Sequence, residues 1–166
     1  KINNSTPTFD WLDVNGAENY ELLVDNNSDF SSPEENVTVN ISEYTPTTGL
    51  ADNTYYWKVR ARAGQITSQY SSVWTFLIDT MPPSAPTPIS PSNFSTVYVD
   101  QPLFRWTTVT DPSGITYTLT IETRYGNVIY YRTGILDNFI QIENKLTENI
   151  DWYNWYVNAI DNAGND

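Results

Sequence analysis

The chain has no cysteine and no histidine in its 166 residues, and each absence removes a class of chemistry. Without thiols there are no disulfide staples, no thiolate nucleophile and no sulfur-ligated zinc. Without imidazole there is no Ser-His pair and no side chain whose ordinary titration falls near neutrality. Paired carboxylates are the acid-base device that remains. Most of the 20 Asp and Glu fall in turn sequences or on outward strand positions, where turn formation and solvation account for them. The chain is therefore expected not to be an enzyme.

Basic residues are scarce as well. Eight Lys and Arg leave a net charge of −12 and a pI near 4.1, a balance that repels phosphate backbones and anionic headgroups. Nucleic acid is thus not expected as a partner. No apolar run reaches the length of a membrane span, so no membrane insertion is expected of these residues. Lys1-Ile-Asn-Asn does not open a signal peptide, and the chain reads as a fragment of a longer protein. Helical periodicity is sustained nowhere.

Aromatic residues, by contrast, are plentiful, with 6 Trp, 12 Tyr and 6 Phe. Each buried ring removes roughly 150–250 Å² from water, so the chain can fill two cores. The rings lie in a pattern that occurs twice. Tyr55, Trp57, Val59 and Ala61 alternate with Tyr56, Lys58, Arg60 and Arg62, the period of a half-buried strand. Tyr153, Trp155, Val157 and Ala159 repeat that spacing. Pro7-Thr-Phe-Asp-Trp11 is echoed by Pro102-Leu-Phe-Arg-Trp106, and Tyr20, Leu22 and Val24 by Tyr117, Leu119 and Ile121. Val37, Val39 and Ile41, then Trp74, Phe76 and Ile78, add further alternating runs, set off by Asn15-Gly16 and other Asp/Asn/Ser turns. One repeat is one domain, which places the domains at 1–80 and 81–166. Between them Asp79-Thr-Met-Pro-Pro-Ser-Ala-Pro86 carries closely spaced prolines that fix an extended backbone, so the domains are expected to stand end to end.

Trp11 and Trp106 in the second strand, the corners Leu50/Tyr55 and Leu146/Tyr153, the linker, and Asp111-Pro-Ser-Gly-Ile115 with Asp161-Asn-Ala-Gly-Asn165 together resemble fibronectin type III and related Ig-like repeats of bacterial and archaeal cell-surface proteins. The resemblance implies an all-β chain of two tandem fibronectin type III-like (Ig-like) β-sandwiches joined by a Pro-rich linker, each built on seven strands. It implies that the phenol at each corner reaches back to upstream backbone. It also implies a spacer or adhesion role in a secreted or cell-surface protein, outside the cell, whose partners are other domains of the same polypeptide or surface proteins. Against that pattern, the first domain's leading strand is incomplete and the second domain's closing strand is missing. The strand from Tyr153 to Ala159 is then expected to keep an open edge that recruits another molecule.

Several constellations carry a functional reading beside a structural one. N-x-S/T acceptors at Asn3, Asn4, Asn26, Asn36, Asn40 and Asn93 support secretion, although Asn, Ser and Thr are abundant enough to produce such matches. Lys58, Arg60 and Arg62 form an outward stripe that could meet an acidic glycan, but Glu21 and Asp25 on the neighbouring strand favour cross-strand ion pairing. In the second domain Trp152, Asn154, Tyr156 and Asn158 share the outward phase beside the hairpin Arg124–Tyr131. Exposed rings stack on sugar faces, so Trp152 and Tyr156 are the candidates for polysaccharide binding; ordinary cross-strand aromatic pairing is the alternative. Asp25-Asn-Asn-Ser-Asp29 opens like an EF-hand loop, but Phe30 stands where glycine is required and Asn36 where glutamate is, so it reads as a polar turn. In the topology that the resemblance implies, Asp111 and Asp161 lie in loops at the pole where the linker carrying Asp79 arrives. Those three carboxylates are the candidate ligands for Ca²⁺, and ordinary Asp turns are the alternative.

Overall fold

The computed structural model describes residues 1–146 and 152–166. Among the described residues every regular element is a strand. They fall into two compact units, Lys1–Thr80 and Met81–Asp166.

In the first unit the strands are β1 (Phe9–Asp10), β2 (Asn19–Asp25), β3 (Glu35–Val39), β4 (Glu43–Tyr44), β5 (Asn53–Ala63), β6 (Ile66–Thr67) and β7 (Trp74–Ile78). One sheet runs β3-β2-β5, with β6 and β7 both pairing the far edge of β5; β1 and β4 make the other sheet. All these pairings are antiparallel. The period-two pattern is what separates core from surface. Tyr20, Leu22 and Val24 are opposed by Ala61, Val59 and Trp57, and their side chains meet Phe9 from the second sheet in one buried cluster. Asn15-Gly16 supplies the turn before β2, with Gly16 at φ 84°, where a side chain would be strained. Outside the strands, Ile2 lies parallel to Ile78, donating to the Leu77 carbonyl and accepting from the Asp79 amide, both at 3.0 Å.

The second unit holds β8 (Pro88–Ser90), β9 (Leu103–Trp106), β10 (Ile115–Thr123), β11 (Val128–Ile135), β12 (Phe139–Gln141) and β13 (Tyr153–Asp161). Its sheets are β11-β10-β13 and β12-β9-β8. Tyr117, Leu119 and Ile121 face Ala159, Val157 and Trp155, so the repeat is true in register as well as in sequence. Phe104 and Trp106 close this core from β9. Trp106 is fully buried and meets Tyr117 edge-on at 5.4 Å, while Phe104 meets Trp155 at 5.1 Å.

Trp11 and Trp106 do not play equal parts. Trp106 is at 0% exposure in the centre of its core, whereas Trp11 is half-buried at the margin of its own, against Tyr20 and Trp57. The difference follows from what pairs alongside. Both amides still bond across their sheets, Trp11 to the Ser42 carbonyl and Trp106 to the Asn138 carbonyl, each at 3.0 Å, but β9 is also paired on its other side by β8, with Pro88 opposite Trp106, whereas among the described residues β1 pairs with β4 alone.

Candidate functional site

Tyrosine hydroxyls lock the loops at which the candidate residues sit. Tyr55 donates to the Ala51 carbonyl at 3.1 Å, the corner bond expected from Leu50/Tyr55. In the second unit the upstream backbone of the corresponding corner falls among residues 147–151, outside the described residues. A second lock was not anticipated. Tyr20 accepts from the Val14 amide at 2.8 Å, and its repeat partner Tyr117 accepts from the Val109 amide at 3.0 Å. The signal was present in the sequence, since the two tyrosines are matched positions of the repeat and each valine stands three residues after its Trp.

On the outer face of the first sheet the cationic stripe is held by its neighbours. Arg60 forks onto both oxygens of Glu21 at 2.9 Å, Arg62 approaches at 3.4 Å, and Tyr70 donates to Glu21 at 2.5 Å. Burial opposes charge on Glu21, but the bonds from Tyr70 and Arg60 and the two guanidinium charges outweigh it, holding the carboxyl below its usual range. Burial, with the bond to that carboxylate, pushes the Tyr70 hydroxyl up to about 12. Lys58 stacks over the rings of Phe30 at 3.7 Å and Tyr70 at 4.8 Å.

Asp25 departs from the expected ion pairing. It is completely buried, and its oxygens accept the Asn27 amide at 2.8 Å and the Ser32 amide at 3.1 Å. A strand-terminal aspartate has a turn to satisfy, and the amides of that turn are closer partners than a lysine across the sheet. Asp29 likewise takes the Ser31 amide at 3.0 Å, so the EF-hand-like string is a polar turn.

The acidic candidates of the second unit lie together. Asp111 Oδ1 accepts the amide and hydroxyl of Ser113, both at 2.8 Å. Asp161 Oδ1 accepts the amides of Ala163, Gly164 and Asn165 at 2.6–2.8 Å. Asn162 ties the two loops, its amide donating to the Gly114 carbonyl at 2.8 Å and its side chain to the Ser113 carbonyl at 3.0 Å. A carboxylate oxygen of Asp111 and one of Asp161 come within 4.8 Å of each other. Burial works against the Asp161 anion, but the bonds from Asn165, Gly164 and Ala163 overcome it and keep its carboxyl below the usual range. Asp79, in the first unit, follows the end of β7 and is 4% exposed.

Trp152, just before β13, is 55% exposed, and Tyr156, on the outward phase of that strand, is 45% exposed. Tyr156 and Tyr131 flank Thr120 on either side of β10, and Arg124 stands 5.5 Å over the Trp152 ring. Asn154 and Asn158 alternate with them on the same exposed phase.

This architecture is that of fibronectin type III domains. The chain superposes on a crystal structure of the FN1-FN3 domains of chicken CNTN1 with a TM-score of 0.59 at 19% identity. The match covers 97% of this chain and 58% of that structure, so the chain spans less than two thirds of its length. No family model matches the sequence, and no curated protein matches it either.

Proposed function

We propose that the chain is a non-catalytic spacer or adhesion module of a secreted or cell-surface protein, built of two tandem fibronectin type III-like sandwiches with Asp79–Pro86 as their Pro-rich connection. The observation that carries this reading is the fate of the polar groups. Glu21 is committed to Arg60, Arg62 and Tyr70, and Asp25, Asp111 and Asp161 are committed to the amides of their own turns. Groups spent on holding loops and sheets in place serve rigidity, which a spacer needs and a catalyst does not supply by itself. A groove in the first unit, between Val14–Ala17 and Ala61–Ser68, has Arg62 as its one charged lining group and offers no acid-base pair. Pulling the chain from its two ends tests the reading: unfolding should take place in steps of domain size at constant force. A glycosidase and esterase screen should give no turnover that follows the purified chain, and turnover abolished by a carboxylate substitution would sink the proposal.

A second reading, polysaccharide binding, is favoured by the exposure of Trp152 and Tyr156 beside Asn154 and Asn158. Affinity electrophoresis on a panel of polysaccharides should show retardation that Trp152→Ala with Tyr156→Ala removes; retardation indifferent to both changes rejects that face. Calcium is proposed at the loops of Asp111 and Asp161, whose oxygens approach within 4.8 Å. Millimolar Ca²⁺ should then raise the melting transition of the second unit relative to chelator, by roughly 2.7 kcal/mol if the ion is at a hundred times its dissociation constant. An unmoved transition removes calcium from the account.

A further inference from the structure

Matched positions of the two repeats carry different chemistry on the outer face of the sheet. In the first unit Glu21 faces Arg60 and Leu23 faces Lys58, and the charges there are spent within the face itself. In the second unit the same pairs are Thr118 with Asn158 and Thr120 with Tyr156. On the other side of β10, Tyr131 stands opposite Thr120, and the Thr133 hydroxyl meets that of Thr118 at 3.1 Å. None of these residues bears a charge, on a chain of net charge −12. Tyr131 is 65% exposed and Tyr156 45%, whereas Thr120 between them is 4% exposed, so two rings flank a floor that water barely reaches. Whatever pairs with the far edge of β13, the pleat keeps Tyr156 on this face. Trp152 differs from both tyrosines. Arg124 stands over its ring at 5.5 Å and takes one face of the indole, while among the described residues no ring or cation stacks on Tyr131 or Tyr156.

Building on the polysaccharide reading above, we propose that the ligand of this face is a neutral, ribbon-like polysaccharide of equatorially linked hexopyranoses, laid across the strands so that Tyr156 and Tyr131 each stack on a sugar ring. Neighbouring strands lie about 4.8 Å apart, which sets the strands that carry the two tyrosines about 10 Å apart across β10. That interval is close to the length of one disaccharide in such a chain. The exposed side chains of Asn158 and Thr133 bond sugar hydroxyls, groups that an apolar protein surface would leave unpaired. The patch includes no cation to receive a uronate, and the acidic chain as a whole repels one. Tyr131 is then a binding residue equal to Tyr156, and Trp152 is marginal.

Affinity electrophoresis of the full chain through gels holding hydroxyethyl cellulose, glucomannan, alginate or polygalacturonate tests this. Retardation is expected in the two neutral gels and not in the two acidic ones. Tyr131→Ala and Tyr156→Ala should each weaken it by about tenfold, and Trp152→Ala should change it less. Tyr131→Phe, which keeps the ring, should bind as the unaltered chain does, and melting curves of all variants separate loss of the stack from loss of the fold. Retardation lost with Trp152→Ala but kept with Tyr131→Ala would overturn the proposal and leave the polysaccharide reading standing, with its ligand along β13. Retardation in the acidic gels alone would likewise reject the neutral ribbon but not the reading beneath it. No retardation in any gel would remove both.

Discussion

Glu21 is the residue on which the outer face of the first sheet depends, because three side chains from two other segments converge on its two oxygens. Its folded carboxyl titrates below the ordinary range. The stabilisation it gives is therefore present above the unfolded value and is lost as pH falls through the lower folded one. Glu21→Gln should make the first unit less stable at neutral pH, and the gap from the unaltered chain should close as pH drops below about 4; chemical denaturation at several pH values measures it. Tyr70 acts at the other end of the scale. With its hydroxyl pushed up to about 12, its contribution is intact below the ordinary tyrosine value near 10 and is lost as pH rises from there. Burial also raises the hydroxyls of Tyr44, Tyr55 and Tyr130, so ultraviolet titration should show several late-ionising phenols, one of which Tyr70→Phe removes, and an unchanged alkaline titration curve in that variant would reject the assignment.

Strands that match in sequence do different work in the two units, and substitutions should expose this. Trp106 is enclosed on all sides, so Trp106→Ala should destabilise the second unit by about 3–5 kcal/mol. Trp11→Ala should cost the first unit clearly less, since Trp11 sits at the margin of its core. Equal losses would contradict the burial difference. At the corner, Tyr55→Phe removes the bond to Ala51 while keeping the ring and should cost about 0.5–1.5 kcal/mol by thermal or urea unfolding. Alternation alone could not rank the two tryptophans. The sequence places both two residues after a phenylalanine in the same phase, and what separates them is the further strand β8 that pairs with β9 beside Trp106.

At the scale of the whole molecule, charge governs behaviour in solution. A net charge of −12 keeps the chains apart at neutral pH, and it vanishes near the pI of about 4.1. Turbidity should therefore peak close to that pH and fall away as the pH is raised to neutrality. The sequence by itself determined the all-β character, the duplicated strands and their facing partners, because period-two alternation and turn residues are local properties that each segment carries alone. It also located Tyr55 at its corner and the outward phase of Trp152 and Tyr156. Only the tertiary structure decided where the polar groups went. Asp25, in the outward phase by counting, turns inward to cap its own turn. Glu21 gathers Tyr70 from a loop 49 residues away, and the hydroxyls of Tyr20 and Tyr117 find the amides of Val14 and Val109. Hydrogen bonds are directional and short-ranged, so which donor meets which acceptor is fixed by the path of the folded chain and not by the order of its residues.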